Sequence, residues 1–364
     1  MKERKVLIIC LDACSPEYLE FAVLDNINHL IENGFYIIGS SVIPTVTNVN
    51  NVSIITGEFP EMHGITGNYF YELQTDSYKY MESAEYILCP TLLERAKEKG
   101  MTTALLTTKA KLLTLLQKGA DIAVTAEYPP AWLVKEIGPS ADVYSADINI
   151  WLFKAALSLI ESQSPDLIYL STTDYIMHKY PPEHKVSVQH LRGIDGLLGE
   201  IHELEPEREI YITADHGMNT KRKAINVEYW LIKGGIQSKV VPIIKDKYVV
   251  HHQNLGGAAY IYLAKQGMVK PAIKILEKIK GIEEVYSREE AIKKFHLLGS
   301  RIGDLFILGD RETVFGEVNN LVQEVNIRSH GSRYESAVPI IGYPRKADIP
   351  DYKMNIDLTR FLGI

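Results

Sequence analysis

Residues 209–217 read EIYITADHG, a short apolar and β-branched run that ends on Asp215, His216 and a glycine. A buried strand opening into a polar turn has this form. It recurs at 5–12 (KVLIICLD) and 166–174 (DLIYLSTTD), closing each time on an aspartate, Asp12 and Asp174. Between these runs lie a helical pattern at 15–34 (SPEYLEFAVLDNINHLIENG) and further apolar runs at 35–43 (FYIIGSSVI) and 101–108 (MTTALLTT). Apolar strands alternating with helices predict an α/β fold, with a mostly parallel central sheet flanked by helices. Ligands of such sheets collect at the carboxyl ends of the strands, where all three aspartates fall.

The rest of the chain bounds this reading. With 364 residues, 46% of them hydrophobic, it is long enough for one large α/β unit carrying an insertion. A net charge of -7 argues against nucleic acid, whose phosphates call for clustered Lys and Arg. No stretch reaches the ~18 apolar residues of a membrane span, and the apolar run near the N-terminus is too short for a leader and reads as a first strand. Cys10, Cys14 and Cys89 are too few for a disulfide framework, so a reduced cytoplasm is the expected location. Residues 221–320 carry strand runs (KVVPIIKDKYVV, AAYIYLAKQG, IEEVYS, DLFILGDRETVFG) interleaved with two charged helical runs. They are expected to form a small α+β cap insertion, with 1–220 and 321–364 making up the core.

The strand ends carry the chemistry. In TTDYIMH, His178 follows Asp174 by four residues and shares its face on a helical turn; TADHG sets Asp215 beside His216; SHGS adds His330 far downstream. Taken singly, the bland readings hold: an Asp caps a helix, and a histidine is structural. Together, three Asp and three His without a Cys suit two Zn²⁺ ions, or less readily Mn²⁺ or Fe²⁺. A metal pair is a clamp for phosphoryl transfer, which leaves the nucleophile to be found. The polar stretch TVTNVNNVSIITG (45–57), read as a loop after the second strand, presents the hydroxyl of Thr47 for that role.

LIICLDACSPEYL, TVTNVNNVSIITGEFPEMHGITGNYFYE, YLSTTDYIMHKYPPEH, ITADHGMN and SHGSRYESAVPI together resemble the alkaline phosphatase superfamily, in its nucleotide pyrophosphatase/phosphodiesterase branch. TTKAKLL, VYSADINIW and DKYVVHH are similar to the phosphonoacetate hydrolases within it. The resemblance implies Thr47 as nucleophile, Asp12, Thr47, Asp215 and His216 around one zinc, and Asp174, His178 and His330 around the other. It implies Asn68 as the amide on a phosphoryl oxygen. Lys109 and Lys111 would be the catalytic and substrate-binding cations, whereas without it they read as a solvated pair before a helix. The implied reaction cleaves phosphonoacetate to acetate and phosphate through a phosphothreonine. The implied partner is thus a small anionic phosphonate, with neither nucleic acid nor membrane, and a homodimer is left open. Ala13 stands where Gly commonly follows the first aspartate, and Val49 where Pro is usual. His63 reads as a loop-fixing residue, and His251 and His252 as pocket walls. The competing readings are a nucleotide pyrophosphatase/phosphodiesterase and a non-catalytic metal-binding protein; a sulfatase lacks its Cys-x-Pro-x-Arg motif here.

Overall fold

The computed structural model describes residues 4–246 and 253–364. Its strands, in chain order, are β1 (Val6–Cys10), β2 (Phe35–Ser40), β3 (Tyr69–Glu72), β4 (Ser77–Tyr80), β5 (Thr103–Thr107), β6 (Ile122–Thr125), β7 (Leu167–Ser171) and β8 (Glu209–Thr213). They continue with β9 (Asn219–Ile225), β10 (Ser238–Pro242), β11 (Ala258–Leu263), β12 (Ile282–Ser287), β13 (Leu305–Gly309), β14 (Thr313–Phe315), β15 (Val322–Ser329) and β16 (Ala337–Tyr343). Seven of them form the central sheet, in the order β2-β16-β8-β1-β7-β5-β6. The pairs among β8, β1, β7, β5 and β6 are parallel, while β16 runs antiparallel to both β8 and β2. The expected mostly parallel sheet flanked by helices is what forms.

Burial follows from position in the sheet. Every residue of β1, β5 and β7 is buried, as strands covered on both faces require, whereas edge strand β2 alternates half-buried and exposed residues over most of its length. Alternate side chains enter different layers. Val6, Ile8, Leu105 and Tyr169 pack with the helix Thr47–Thr56, and Leu7, Ile9, Leu106 and Leu170 with the helices Asp147–Ser162 and Lys185–Leu204.

The chain leaves the sheet after β8 and returns to it at β16, the strand hydrogen-bonded beside β8. Everything between is inserted at that one junction. The insertion holds a four-stranded sheet, β10-β11-β13-β12, with helices Val269–Leu276 and Arg288–Phe295, and a three-stranded sheet, β14-β9-β15, running from Asn219 to Ser329. Tyr260 and Phe306 on one face of the four-stranded sheet join the layer that holds Thr47–Thr56. Ile261 and Ile307 on the other pack against helix Val227–Lys233.

Three expectations change in detail. The helical stretch at 15–34 is two helices, Pro16–Phe21 and Asp25–Glu32. The strand expected through KVVPIIKDKYVV is β10, which ends at Pro242, with one further cross-strand bond from the Ile243 N–H to Ala258 O. His251 and His252 lie outside the described residues. The third change concerns Thr47, which does not lie in a loop: it is the first residue of the helix Thr47–Thr56.

Candidate metal and phosphoryl site

Strand order assembles the site. Because β8, β1, β7 and β5 are parallel neighbours, the residues after them line up along one edge: Asp215 and His216, then Asp12, then Asp174 and His178, then Lys109 and Lys111. His330, which precedes β16, comes in beside β8, and its ring stacks on that of His216 with centroids 3.7 Å apart and planes 11° off parallel.

Two clusters result. Asp12, Asp215 and His216 bring one ligand atom each within 4.8 Å of one another, and so do Asp174, His178 and His330; all six are buried. His216 Nε2 lies 3.7 Å from Asp12 Oδ1 and 3.5 Å from Asp215 Oδ2, and His178 Nε2 lies 2.9 Å from Asp174 Oδ2.

The residues fit divalent cations on three counts. Each histidine turns Nδ1 to a backbone carbonyl: His178 to Arg328 at 2.7 Å, His216 to Gly217 at 2.9 Å and His330 to Thr45 at 2.7 Å. A carbonyl only accepts, so Nδ1 carries the proton and Nε2 keeps its lone pair for the centre. Second, Asp12 Oδ1 is buried with no hydrogen-bond partner among the described residues, a costly arrangement unless something else satisfies it. Third, burial and the neighbouring Asp174 and Asp215 push the Asp12 carboxyl well above the usual carboxylate range. Burial, His216 and His178 hold His330 well below the usual histidine range, which keeps it neutral. Carboxylates crowded together beside a neutral imidazole match a cation's needs.

Thr47 stands against the first cluster, its Oγ1 3.3 Å from His216 Nε2. As first residue of a ten-residue helix with no side-chain cap, it sits where uncapped N–H groups and the helix dipole favour an anion. The asparagines around it, which gave the stretch its loop-like look, are buried and bonded. Asn48 Nδ2 donates to Met81 O; Asn50 exchanges hydrogen bonds with both backbone groups of Val42. Asn51 Nδ2 donates to Thr47 O and Asp215 Oδ2, and its Oδ1 accepts from Tyr169 and Ser171. Asn51 is a functional neighbour that sequence reading passed over.

The departure at Ala13 also has a local account. Ala13 adopts φ +59°, the conformation glycine takes freely, and its N–H donates to Asp215 Oδ1 at 3.0 Å. His63 has no part in the centre. It is fully buried, bonded through Nε2 to Ser53 Oγ at 2.8 Å and through Nδ1 to the Ile65 N–H.

Lys109 and Lys111 are not a solvated pair. They share a narrow cleft with Thr47, Asn68 and the cap residues Ile244 and Asp246. Lys109 Nζ is 3.4 Å from Asp174 Oδ1; burial opposes its charge, but Asp174, Asp12 and Asp246 outweigh that and raise its pKa. Lys111 Nζ is 2.7 Å from Asp246 Oδ1, the same oxygen that Asn68 Nδ2 approaches at 3.4 Å. Asp246 was not singled out by sequence, because no local pattern ties a cap aspartate to a helix on the far side of the cleft.

A family model described as type I phosphodiesterase / nucleotide pyrophosphatase matches residues 6–333. Among solved structures, phosphonoacetate hydrolase from Sinorhizobium meliloti 1021, captured with phosphonoformate and with phosphonoacetate, superposes with a TM-score of 0.90 at 32% identity, over 98% of this chain and 94% of that one. Murine ectonucleotide pyrophosphatase/phosphodiesterase 5 shares the fold, with a TM-score of 0.72 at 17% identity over 99% and 94%. Among curated relatives, a venom phosphodiesterase of Naja atra is 25% identical over 58% of this chain and 26% of its own length. A bis(5'-adenosyl)-triphosphatase of Bos taurus is 25% identical over 62% and 50%. The chain thus spans only about a quarter to a half of these curated relatives. The match over most of its length, on a sheet whose strand ends gather two metal-ligand clusters, places the chain in the type I phosphodiesterase/nucleotide pyrophosphatase family of hydrolases, within the alkaline phosphatase superfamily.

Proposed function

We propose that this chain hydrolyses the carbon–phosphorus bond of phosphonoacetate, giving acetate and phosphate, with Thr47 as nucleophile and a zinc ion in each cluster. The observation that carries the reading is the meeting of Lys109 and Lys111 with Thr47 and Asn68 in one small cleft at the edge of both clusters. The likeness to a phosphonoacetate hydrolase solved with its substrate supports it.

Asp12, Thr47, Asp215 and His216 would hold one ion and Asp174, His178 and His330 the other. Bound there, the pair would supply Lewis acidity and lower the pKa of the oxygen it holds. Thr47 gives up its hydroxyl proton to solvent and its Oγ attacks phosphorus, the O–P bond forming as the P–C bond breaks, with the helix N-terminus and the Asn68 amide facing the phosphoryl oxygens. The carbon leaving group is poor, so its charge must spread onto the substrate carboxylate, and the two lysines are the cations that receive it. The carbon then takes up a proton, and water hydrolyses the phosphothreonine. A cytoplasmic place of work belongs to the same proposal, supported by three cysteines that are all unpaired.

The curated phosphodiesterase relatives favour one second reading, a nucleotide pyrophosphatase/phosphodiesterase using the same groups. Assaying the zinc-loaded protein on phosphonoacetate, a nitrophenyl phosphodiester and a nitrophenyl phosphate monoester separates the two, and a non-catalytic metal-binding protein would turn over none. Lys109→Ala with Lys111→Ala is expected to cost phosphonoacetate turnover about 3 kcal/mol more than monoester turnover. Equal losses would favour the phosphodiesterase reading.

A further inference from the structure

The cap sends one carboxylate into the cleft, and it lands on the groups assigned to the substrate. Asp246 Oδ1 is 2.7 Å from Lys111 Nζ and 3.4 Å from Asn68 Nδ2. One oxygen therefore meets both a cation expected to take the substrate's carboxylate and the amide expected to take a phosphoryl oxygen. An anionic substrate oxygen bound between them would make the same two contacts. Asp246 is held where it is: its backbone N–H donates to Asn254 Oδ1 at 3.0 Å, and its side chain is largely shielded from solvent. Ile244, two residues earlier, lines the same cleft.

From this we infer that Asp246 is the cleft's own counter-anion, a specificity-determining residue that holds Lys111 and Asn68 when no substrate is present and must yield them to an incoming dianionic ligand. The inference rests on the reading of the cleft as a phosphonate site. Two consequences follow from charge alone. A carboxylate within hydrogen-bond distance of the recognition cation opposes a second anion through a partly desolvated space, where such repulsion is weakly screened. Its effect must also fall hardest on ligands that carry a second anionic group to reach Lys111, and lightly on those with a phosphoryl group alone. Asp246 thus lowers affinity while keeping the lysine oriented between turnovers.

The test is direct binding to the zinc-loaded protein by titration calorimetry. The probes are phosphonoformate, which carries a carboxylate on its phosphonate, and inorganic phosphate, which does not. Asp246→Asn keeps the shape and removes the charge. It is expected to tighten phosphonoformate at least about tenfold and phosphate less than threefold, and to lower KM for phosphonoacetate proportionately more than it changes kcat. Asp246→Ser, which removes both charge and reach, should show the same preference. In a Lys111→Ala background the preference of the Asp246→Asn gain for phosphonoformate over phosphate should shrink, since the second anionic group then has no cation to reach. Unchanged or weaker phosphonoformate binding in both Asp246 variants would overturn the inference and make Asp246 a group that merely positions Lys111. The catalytic reading fails separately: tightened binding without any phosphonoacetate turnover in the unaltered protein would sink the proposed reaction and leave the counter-anion standing.

Discussion

Thr45 and Thr47 lie two residues apart and have different work. Thr47 offers its hydroxyl to the centre, and little else depends on it. Thr47→Ala is expected to lower turnover on the order of a thousandfold or more, with metal content and thermal unfolding close to those of the unaltered protein; Thr47→Ser should recover part of the rate. Near-normal turnover in the alanine variant would remove Thr47 as nucleophile. Thr45 instead clamps the loop that carries His330. Its carbonyl takes the His330 Nδ1–H, its Oγ1 accepts from the Gly331 N–H at 2.9 Å, and it donates to Ser332 O at 2.8 Å. Gly331 passes through φ +116° with Gly257 N so close that no side chain fits, so this loop has one path. Thr45→Val keeps the shape and strands two buried backbone groups, at about 2–4 kcal/mol. Metal analysis after mild chelation should show loss from the Asp174, His178 and His330 cluster first, and Thr45→Ser should restore retention; equal loss from both clusters would count against the clamp.

At the scale of elements, the helix Thr47–Thr56 carries most of the surprise. Asparagine favours loops because its side chain competes for backbone hydrogen bonds. Here Asn48 and Asn51 satisfy groups far along the chain, and Asn50, besides bonding Val42, accepts from Asn355 Nδ2 at 3.2 Å, partners that only the folded chain supplies. The helix is further held by Ser53, bonded to His63 in the next short helix, Pro60–His63. Burial, aided by nearby Arg301 and only partly opposed by a backbone hydrogen bond, lowers the His63 pKa to about 3. In the unfolded chain it titrates near 6.5. The unfolded state therefore binds the extra proton first, so stability from this group is full above about pH 6.5 and falls as the pH drops toward 3. The slope is about 1.4 kcal/mol per pH unit over most of that window. Buried His190 and His330 titrate low as well, so the contribution of His63 is read as a difference: from pH 7 to pH 4, chemical denaturation should show a shallower slope in His63→Gln than in the unaltered protein. Parallel curves would mean that His63 is not the buried neutral histidine responsible.

At the scale of the whole molecule, the insertion is tied to the core by a fully buried ion pair. Lys221, on β9, donates to Glu335 Oε1 at 2.8 Å and to Arg311 O at 2.9 Å, while Glu335 also accepts from Asn219 and from the Ser332 backbone and hydroxyl. Glu335 thus links the three-stranded sheet to the turn just after His330. Lys221→Met would leave a buried carboxylate without its cation and is expected to cost about 3–5 kcal/mol in unfolding free energy. Lys221→Met with Glu335→Gln should recover part of that cost. A single variant within about 0.5 kcal/mol of the unaltered protein in denaturant unfolding would show that the junction does not need the pair.

The α/β class, the parallel sheet and the six Asp and His candidates were legible because they rest on local pattern: apolar runs of strand length, and polar residues where those runs stop. Strand order was not local, and it is what sets Asp215, Asp12, Asp174 and Lys109 side by side. Nor was the return of β16 beside β8, which stacks His330 on His216 from far along the chain. Thr47 could be picked out by its neighbours in sequence, but its place at a helix start depended on distant partners for Asn48, Asn50 and Asn51. Asp246 opens the DKYVVHH stretch, but its meeting with Lys111 could not be read there for the same reason. Residue type and spacing along the chain determine which groups can coordinate, attack or bind an anion, whereas the pairing of non-adjacent strands and the docking of the insertion determine which of them meet, because those contacts close only when the sheet and its cap are packed together.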